Sequence, residues 1–233
     1  MDAYDTIRKY AGFVNEVRLT EETLKFIIFK KAGRIWITAP EADFADLAQD
    51  GVVELSLAAD PGAKRGAAVS LSEPPFGDMG LKFACDLLLK SKTYNAFIIC
   101  KPVYAGICVD AKRSVTAVLD DMAQIIGPEA QAVPYDGKKI EKALGPNTAV
   151  LIENCGGAEL AGTELASKVL VGGRNLYEAY TGLLVLEKSA EIILKSSVIG
   201  GVKTLSLMNR QLQHSKYLKS YSKTEKEYED AAE

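Results

Sequence analysis

Side chains that could ligate or attack are few in this sequence. Four cysteines, Cys85, Cys100, Cys108 and Cys155, and a single histidine, His214, are the only soft ligands among 233 residues. The cysteine spacing contains no CxxC, which excludes a zinc ribbon and a thioredoxin-like redox pair. Three of the four lie in apolar stretches, where a free cysteine behaves as a small hydrophobe. They are read as reduced thiols of a cytoplasmic chain. His214 lies in a polar C-terminal segment and is read as a solvated tail residue. A three-histidine metal site cannot come from one such chain, and a Ser-His-Asp triad would have to borrow this tail residue. Lys101 ends an apolar run. Buried, it could lose its proton and form a Schiff base with a carbonyl; the commoner alternative is a solvated lysine at a strand end. Asn154 with Gly156 and Gly157 either lines a pocket or makes a tight turn that needs positive φ. The pairs Gly172-Gly173 and Gly200-Gly201 lack a Walker or Rossmann context and read as turns.

The elements that must position these residues follow from periodicity. Ala3, Ile7, Tyr10, Ala11, Val14 and Val17 recur at helical spacing. Residues 25–29 and 34–38 read as strands joined through residues 30–33 as a hairpin. A short helix is expected over 42–48 and a strand over 52–57. Pro and Gly make 58–80 a loop region. A strongly apolar helix over 81–89 precedes a buried strand, 96–100, that stops at Lys101-Pro102. Helices are expected over 115–126, ended by Gly127-Pro128, and over 140–144, ended by Gly145-Pro146. Residues 149–152 form a strand leading into Asn154. Asn175 with Glu178 three positions on is an N-cap signature, and the helix after it, to about residue 194, is apolar around most of its circumference. Residues 1–220 are expected to form one domain, with a charged, frayed tail over 221–233. The class is mixed α/β with a sheet that is at least partly antiparallel.

Composition limits the partners. Hydrophobic residues are 48% and charged residues 25%, which excludes wholesale disorder. With 28 basic against 31 acidic side chains the net charge is -3, so there is no electrostatic case for nucleic acid or an anionic membrane. The N-terminus lacks the basic and apolar regions of a signal peptide, and no apolar run approaches the ~18 residues of a membrane span.

Three segments together resemble the class II aldolase/adducin domain family. They are Val118-Leu119-Asp120-Asp121-Met122-Ala123-Gln124-Ile125-Ile126-Gly127 with Val133-Pro134-Tyr135; Ala143-Leu144-Gly145-Pro146-Asn147-Thr148 running on to Asn154-Cys155-Gly156; and Gly173-Arg174-Asn175-Leu176-Tyr177-Glu178-Ala179 with Leu186-Glu187 and Ala190. Trp36-Ile37-Thr38 and the strand 96–100 match more loosely. The resemblance implies a three-layer α/β/α fold with a central, mostly antiparallel sheet. It also implies a homo-oligomer, commonly a tetramer, and cleavage or epimerisation of phosphorylated sugars. A zinc ion held by a His-x-His and an Asn-His-Gly would polarise a carbonyl, and the carboxylate of a Ser-Ser-Glu would transfer the proton.

This chain departs from that pattern at each place. Cys100-Lys101-Pro102 stands at the His-x-His and Asn154-Cys155-Gly156 at the Asn-His-Gly. Ser72-Glu73 resembles the end of the carboxylate motif, but an ungapped count back from Cys100 puts Leu81 there, with Asp78 the nearest acid. Leu24-Lys25-Phe26 stands in the neighbourhood of the family's phosphate loop without its Gly-Asn. The expectation is therefore a protein of that family without its zinc-dependent aldolase activity, with no cofactor, and with a remodelled pocket for a small sugar-like ligand. The alternative is a divergent carbon–carbon lyase. It would use zinc on Cys100, Cys155 and Glu73 or Asp78, or a lysine, with Glu73, Asp78 and Lys101 as candidate catalytic residues. A third possibility, ligands supplied by another subunit, would rest on the one histidine of each chain.

Overall fold

The computed structural model describes residues 2–17, 19, 24–57, 70–145, 147–154 and 163–230, with side chains described as far as residue 220. In chain order the elements are α1 (Ala3–Glu16), β1 (Phe26–Lys31), β2 (Arg34–Thr38), β3 (Val52–Glu54), α2 (Met79–Lys90), β4 (Ala96–Cys100), α3 (Val103–Asp110), β5 (Val115–Thr116), α4 (Asp120–Ile125), β6 (Glu129–Pro134), α5 (Gly137–Leu144), β7 (Ala149–Glu153), β8 (Lys168–Gly173), α6 (Leu176–Ser197) and α7 (Leu207–Asp230). The strands form one sheet in the order β3-β2-β1-β4-β8-β7-β6-β5. Every described pairing is antiparallel except β6 with β7.

The strand alternation that divides side chains between the two faces builds two cores. Ile27, Phe29, Ile98, Cys100, Val169 and Val171 pack with α1, α3, α4 and α6. Phe26, Ile28, Phe97, Ile99, Val150 and Leu170 pack with α2 and α5 on the other face. Helices therefore cover both sides of a mostly antiparallel sheet, the three-layer arrangement expected from the resemblance. The strands at 34–38 and 96–100 fall where periodicity puts them, and Ala32 and Gly33 turn the hairpin with φ of 49° and 74°. Asn175 caps α6 as its spacing predicts, its Oδ1 accepting from the Glu178 N–H at 2.9 Å. Asp2, Asp78 and Asp136 cap α1, α2 and α5 in the same way.

Other expectations are corrected. Residues 42–48 form bends rather than a helix. The stretch 115–126 divides into the two-residue strand β5 and the shorter α4, because Val115 and Thr116 pair with Ala130 and Glu129. The strand does stop at Lys101-Pro102, as expected, and Pro102 then stands at the N-cap of an unexpected helix, α3, where its missing N–H costs nothing. Gly172-Gly173 is not a turn but the end of β8, buried on both faces. A Cβ on Gly173 would collide with the Ala179 backbone nitrogen and come within 2.6 Å of the Asn175 carbonyl oxygen. The absent side chain is what lets the first turn of α6 fold back onto β8. Gly200 and Gly201 do turn the chain, with φ of 103° and 88°. His214 is not solvated but buried, its Nδ1 donating to the Gln124 carbonyl at 2.7 Å.

Gly173→Ala is expected to destabilise the protein by about 3 kcal/mol, since the atoms in the way are backbone. Gly12→Ala, in α1 with open space around it, is expected to stabilise by up to about 1 kcal/mol. Urea midpoints at constant slope check both.

Candidate functional site

Strand direction collects the residues of interest at one rim of the sheet. β4, β6 and β7 end there, at Cys100, Pro134 and Glu153, and β1 and β8 begin there, at Phe26 and Lys168. Cys100 pairs with Val169, beside Lys168, and Phe26 pairs with Ile99. Asn154 follows β7 and is exposed. Cys155, Gly156 and Gly157 lie outside the described residues.

Cys100 is not open to this rim. It is fully buried in the apolar cluster with Val17, Ala105 and Val169. Burial pushes its thiol pKa far up, and the Glu187 carboxylate adds to the rise, while Lys168 and Lys25 oppose it. The thiol stays protonated at neutral pH. Cys85 and Cys108 are also buried free thiols with raised pKa. Pro102 offers no donor atom and bridges to Leu19 instead.

The carboxylates go elsewhere. Glu73 is exposed in a bend before Pro74. Asp78 is buried and committed to the fold: Oδ1 accepts the Leu81 N–H at 2.6 Å and Oδ2 the Glu164 N–H at 2.8 Å. It thus caps α2 and ties in the segment before β8. Leu81, at the ungapped family position of the acid, is fully buried against Phe97 and Ile99. Beside Asp78, Tyr135 is half-buried; burial raises its hydroxyl pKa, Thr163 counters this and Asp78 adds to it. Lys101 is drawn along α3 to Asp110, Nζ to Oδ1 2.7 Å.

Two charged residues at the site have no counterpart among the candidates from sequence. Lys168 is buried, with Nζ donating to the Glu164 carbonyl at 2.6 Å and its carboxylate at 2.7 Å, 5.7 Å from the Phe26 ring centre. Glu187, inside α6, sends its two oxygens to the N–H groups of Tyr104 and Ala105, both at 2.8 Å. It does for α3 what Pro102 cannot, from a helix more than eighty residues later. The signal for Lys168 was a charge opening an apolar run, and for Glu187 a charged pair, Glu187-Lys188, interrupting one. Lys25 completes the rim: burial lowers its pKa, Asp43 and Cys100 oppose, and its Nζ donates to Asn15 Oδ1 at 3.0 Å.

These residues do not fit a zinc ion. Cys100 would have to ionise inside the core, Pro102 has nothing to offer, and the oxygens of Asp78 are occupied. Among the described residues no three His, Cys, Asp or Glu side chains form a group that could hold a metal. Clefts of about 220 and 210 Å³ lie instead between α2 and α5, lined among others by Lys90, Tyr94 and Leu144, and by Met79, Lys82 and Phe83.

No family model matches the sequence, and no curated protein matches it. Solved structures do match its fold. An L-fuculose 1-phosphate aldolase superposes with a TM-score of 0.67 at 18% identity, covering 93% of this chain and 98% of that one. YgbL from Escherichia coli, described as a putative aldolase/epimerase/decarboxylase, gives 0.64 at 13% identity over 91% and 97%. The L-fuculose-1-phosphate aldolase of Thermus thermophilus gives 0.60 at 14% over 86% and 97%. The chain therefore has the class II aldolase fold across nearly its whole length. No helix among the described residues is long and apolar enough to cross a membrane.

Glu187 makes the rim pH-sensitive. Burial raises its carboxyl pKa, the backbone N–H groups of α3 lower it, and Glu191 raises it. With the folded value above the unfolded one, this residue's contribution is complete below the ordinary glutamate pKa and is lost as pH rises through the folded value. Wild-type stability is expected to fall relative to Glu187→Gln as pH rises from the ordinary glutamate value, about 4, through the raised folded value. Parallel urea-midpoint profiles for the two proteins would refute this.

Proposed function

We propose that this chain is a class II aldolase-like protein that has lost zinc-dependent sugar-phosphate aldolase chemistry and keeps a small-ligand site at the rim, as a homo-oligomer. The observation that carries the loss is the seat of Cys100: a protonated thiol in a dry apolar cluster, where the family resemblance implies an imidazole facing a metal. Ionising it to bind zinc would cost its burial and set a second negative charge near Glu187. Support for a retained ligand site comes from Asn154, exposed at the end of β7, and from Lys25 and Tyr135, which are only partly desolvated. Asn154 and Tyr135 follow the adjacent strands β7 and β6 and offer an amide and a hydroxyl suited to the hydroxyls of a sugar-like molecule, while Lys25 supplies a cation further along the same rim, at β1. Exposed apolar residues following α6 support self-association.

The rival lyase makes different demands. It needs either a metal on Cys100 and a carboxylate or a reactive lysine, and Asp78 and Lys101 are both already bonded within the fold. Protein purified and re-equilibrated with zinc is expected to hold the metal well below stoichiometry, with Cys100→Ala taking up the same amount. Neither protein is expected to cleave L-fuculose 1-phosphate, the compound in the names of two structural relatives. Borohydride with that compound should leave no adduct on Lys101. Stoichiometric zinc that is lost in Cys100→Ala, cleavage in either protein, or a trapped lysine would overturn the reading.

A further inference from the structure

Phe76 stands in a backbone conformation that phenylalanine rarely adopts. Its φ is 52°, and Gly77 after it has φ of 75°. The left-handed region crowds any side chain, so a bulky residue there marks a turn under strain. The surroundings enforce that turn. Pro74 and Pro75 fix the approach, and Pro75 is buried. The N–H groups of Gly77 and Asp78 donate to the Pro74 and Pro75 carbonyls at 3.1 and 2.9 Å. Asp78 then ties the start of α2 to the Glu164 N–H.

The fold gains little from the ring it holds this way. Phe76 is 45% exposed, and its ring meets no other aromatic ring and no cation among the described residues. A glycine would follow the same path without strain. Strained residues of this kind gather where a protein meets its ligand, and the place fits. Asp78, next but one in the chain, lies close enough to Tyr135 for its charge to act on that hydroxyl. Phe76 therefore belongs to the rim where β6 and β7 end. Met79 is one turn further on, 64% exposed, and borders the 210 Å³ cleft between α2 and α5. The two side chains make an apolar shelf on the rim that carries Tyr135 and Asn154.

An aromatic shelf next to an amide and a hydroxyl suits one form of a sugar. A closed sugar ring has an apolar C–H face that stacks on an aromatic ring while its hydroxyls point to the edges. An open chain spreads its hydroxyls along the carbons and has no such face. We propose that Phe76 is the stacking platform of the rim site and selects a sugar in its ring form, with Met79 against the same face. This rests on the retained ligand site of the proposed function and names its ligand class. Aldol cleavage works on an open-chain carbonyl, whereas this platform holds the ring closed.

The full chain is titrated by calorimetry and saturation-transfer NMR. The probes are the methyl glycosides of L-fucose, D-galactose and D-arabinose, locked as rings, and L-fucitol, galactitol and D-arabinitol, which cannot close. Wild type is expected to bind at least one glycoside, with transfer concentrated on ring C–H protons, and the matching alditol about tenfold more weakly. Phe76→Gly and Phe76→Ala should lose that preference at unchanged circular dichroism, and Phe76→Trp should keep it. Glycoside affinity unchanged in Phe76→Gly, or equal binding of glycosides and alditols by wild type, would overturn the platform and leave the ligand site standing. No binding of any of these compounds would overturn both.

Discussion

β4 is covered on both faces, and the rest of the molecule is arranged around that constraint. All five of its residues are fully buried. Its even-numbered members face α1, α3 and α6, its odd-numbered members face α2, and its edges are taken by β1 and β8. A strand with no free face and no free edge can carry only apolar or small side chains unless a polar one is bonded. Cys100 satisfies that rule. A thiolate at the same place would be an unpaired charge inside the apolar cluster that Cys100 shares with Val17, Ala105 and Val169.

The chain turns directly from β4 into α3, and this junction draws on distant residues. Pro102 supplies the turn but no cap, so the first amides of α3 depend on Glu187, which is held in place by α6. α6 in turn is placed by the close approach at Gly173 and by the Arg174–Glu178 pair, 2.8 Å apart and nearly buried. Glu178 also accepts the Arg174 N–H at 2.7 Å, so the carboxylate does not stand as an uncompensated charge. The result is a continuous linkage from the rim of the sheet through α3 and α6 to α7, which meets Glu178 through Tyr217. The third segment that carries the family resemblance, Gly173 to Glu187, is read here as scaffold: its charged members hold helices to strands.

What was legible in the sequence was what local spacing encodes. The strand 96–100, the hairpin at 30–33 and the Asn175 cap depend on neighbours within a few residues, so periodicity and side-chain type suffice. α3 was not legible. A short helix whose first seven residues carry no charge has no amphipathic stripe to announce it, and Lys101-Pro102 resembles a stop. β8 was hidden for a similar reason: its two terminal glycines look like a turn, and only the distant α6 explains why they must lack a Cβ. α7 was not among the elements expected from periodicity: its polar residues Arg210, Gln213 and His214 dock while Leu207 and Leu212 stay exposed. Of the candidate site, the departures at Cys100, Pro102 and Leu81 were readable from sequence, but the engagement of Asp78 and Lys101 by Glu164 and Asp110 was not, because those partners are set by tertiary structure.

The positions that the resemblance assigns to metal chemistry and proton transfer take part in the packing of this chain. Cys100 is a thiol in the core, Pro102 starts a helix, and Leu81 lies under the sheet. Each now contributes burial or backbone geometry that a histidine or a glutamate would take away. An imidazole in place of Cys100 would overpack a full cluster, typically at about 1–3 kcal/mol, before any gain from a metal. A bulkier donor at Cys100 therefore runs against stability, and the cost falls on β4, the element that both cores share.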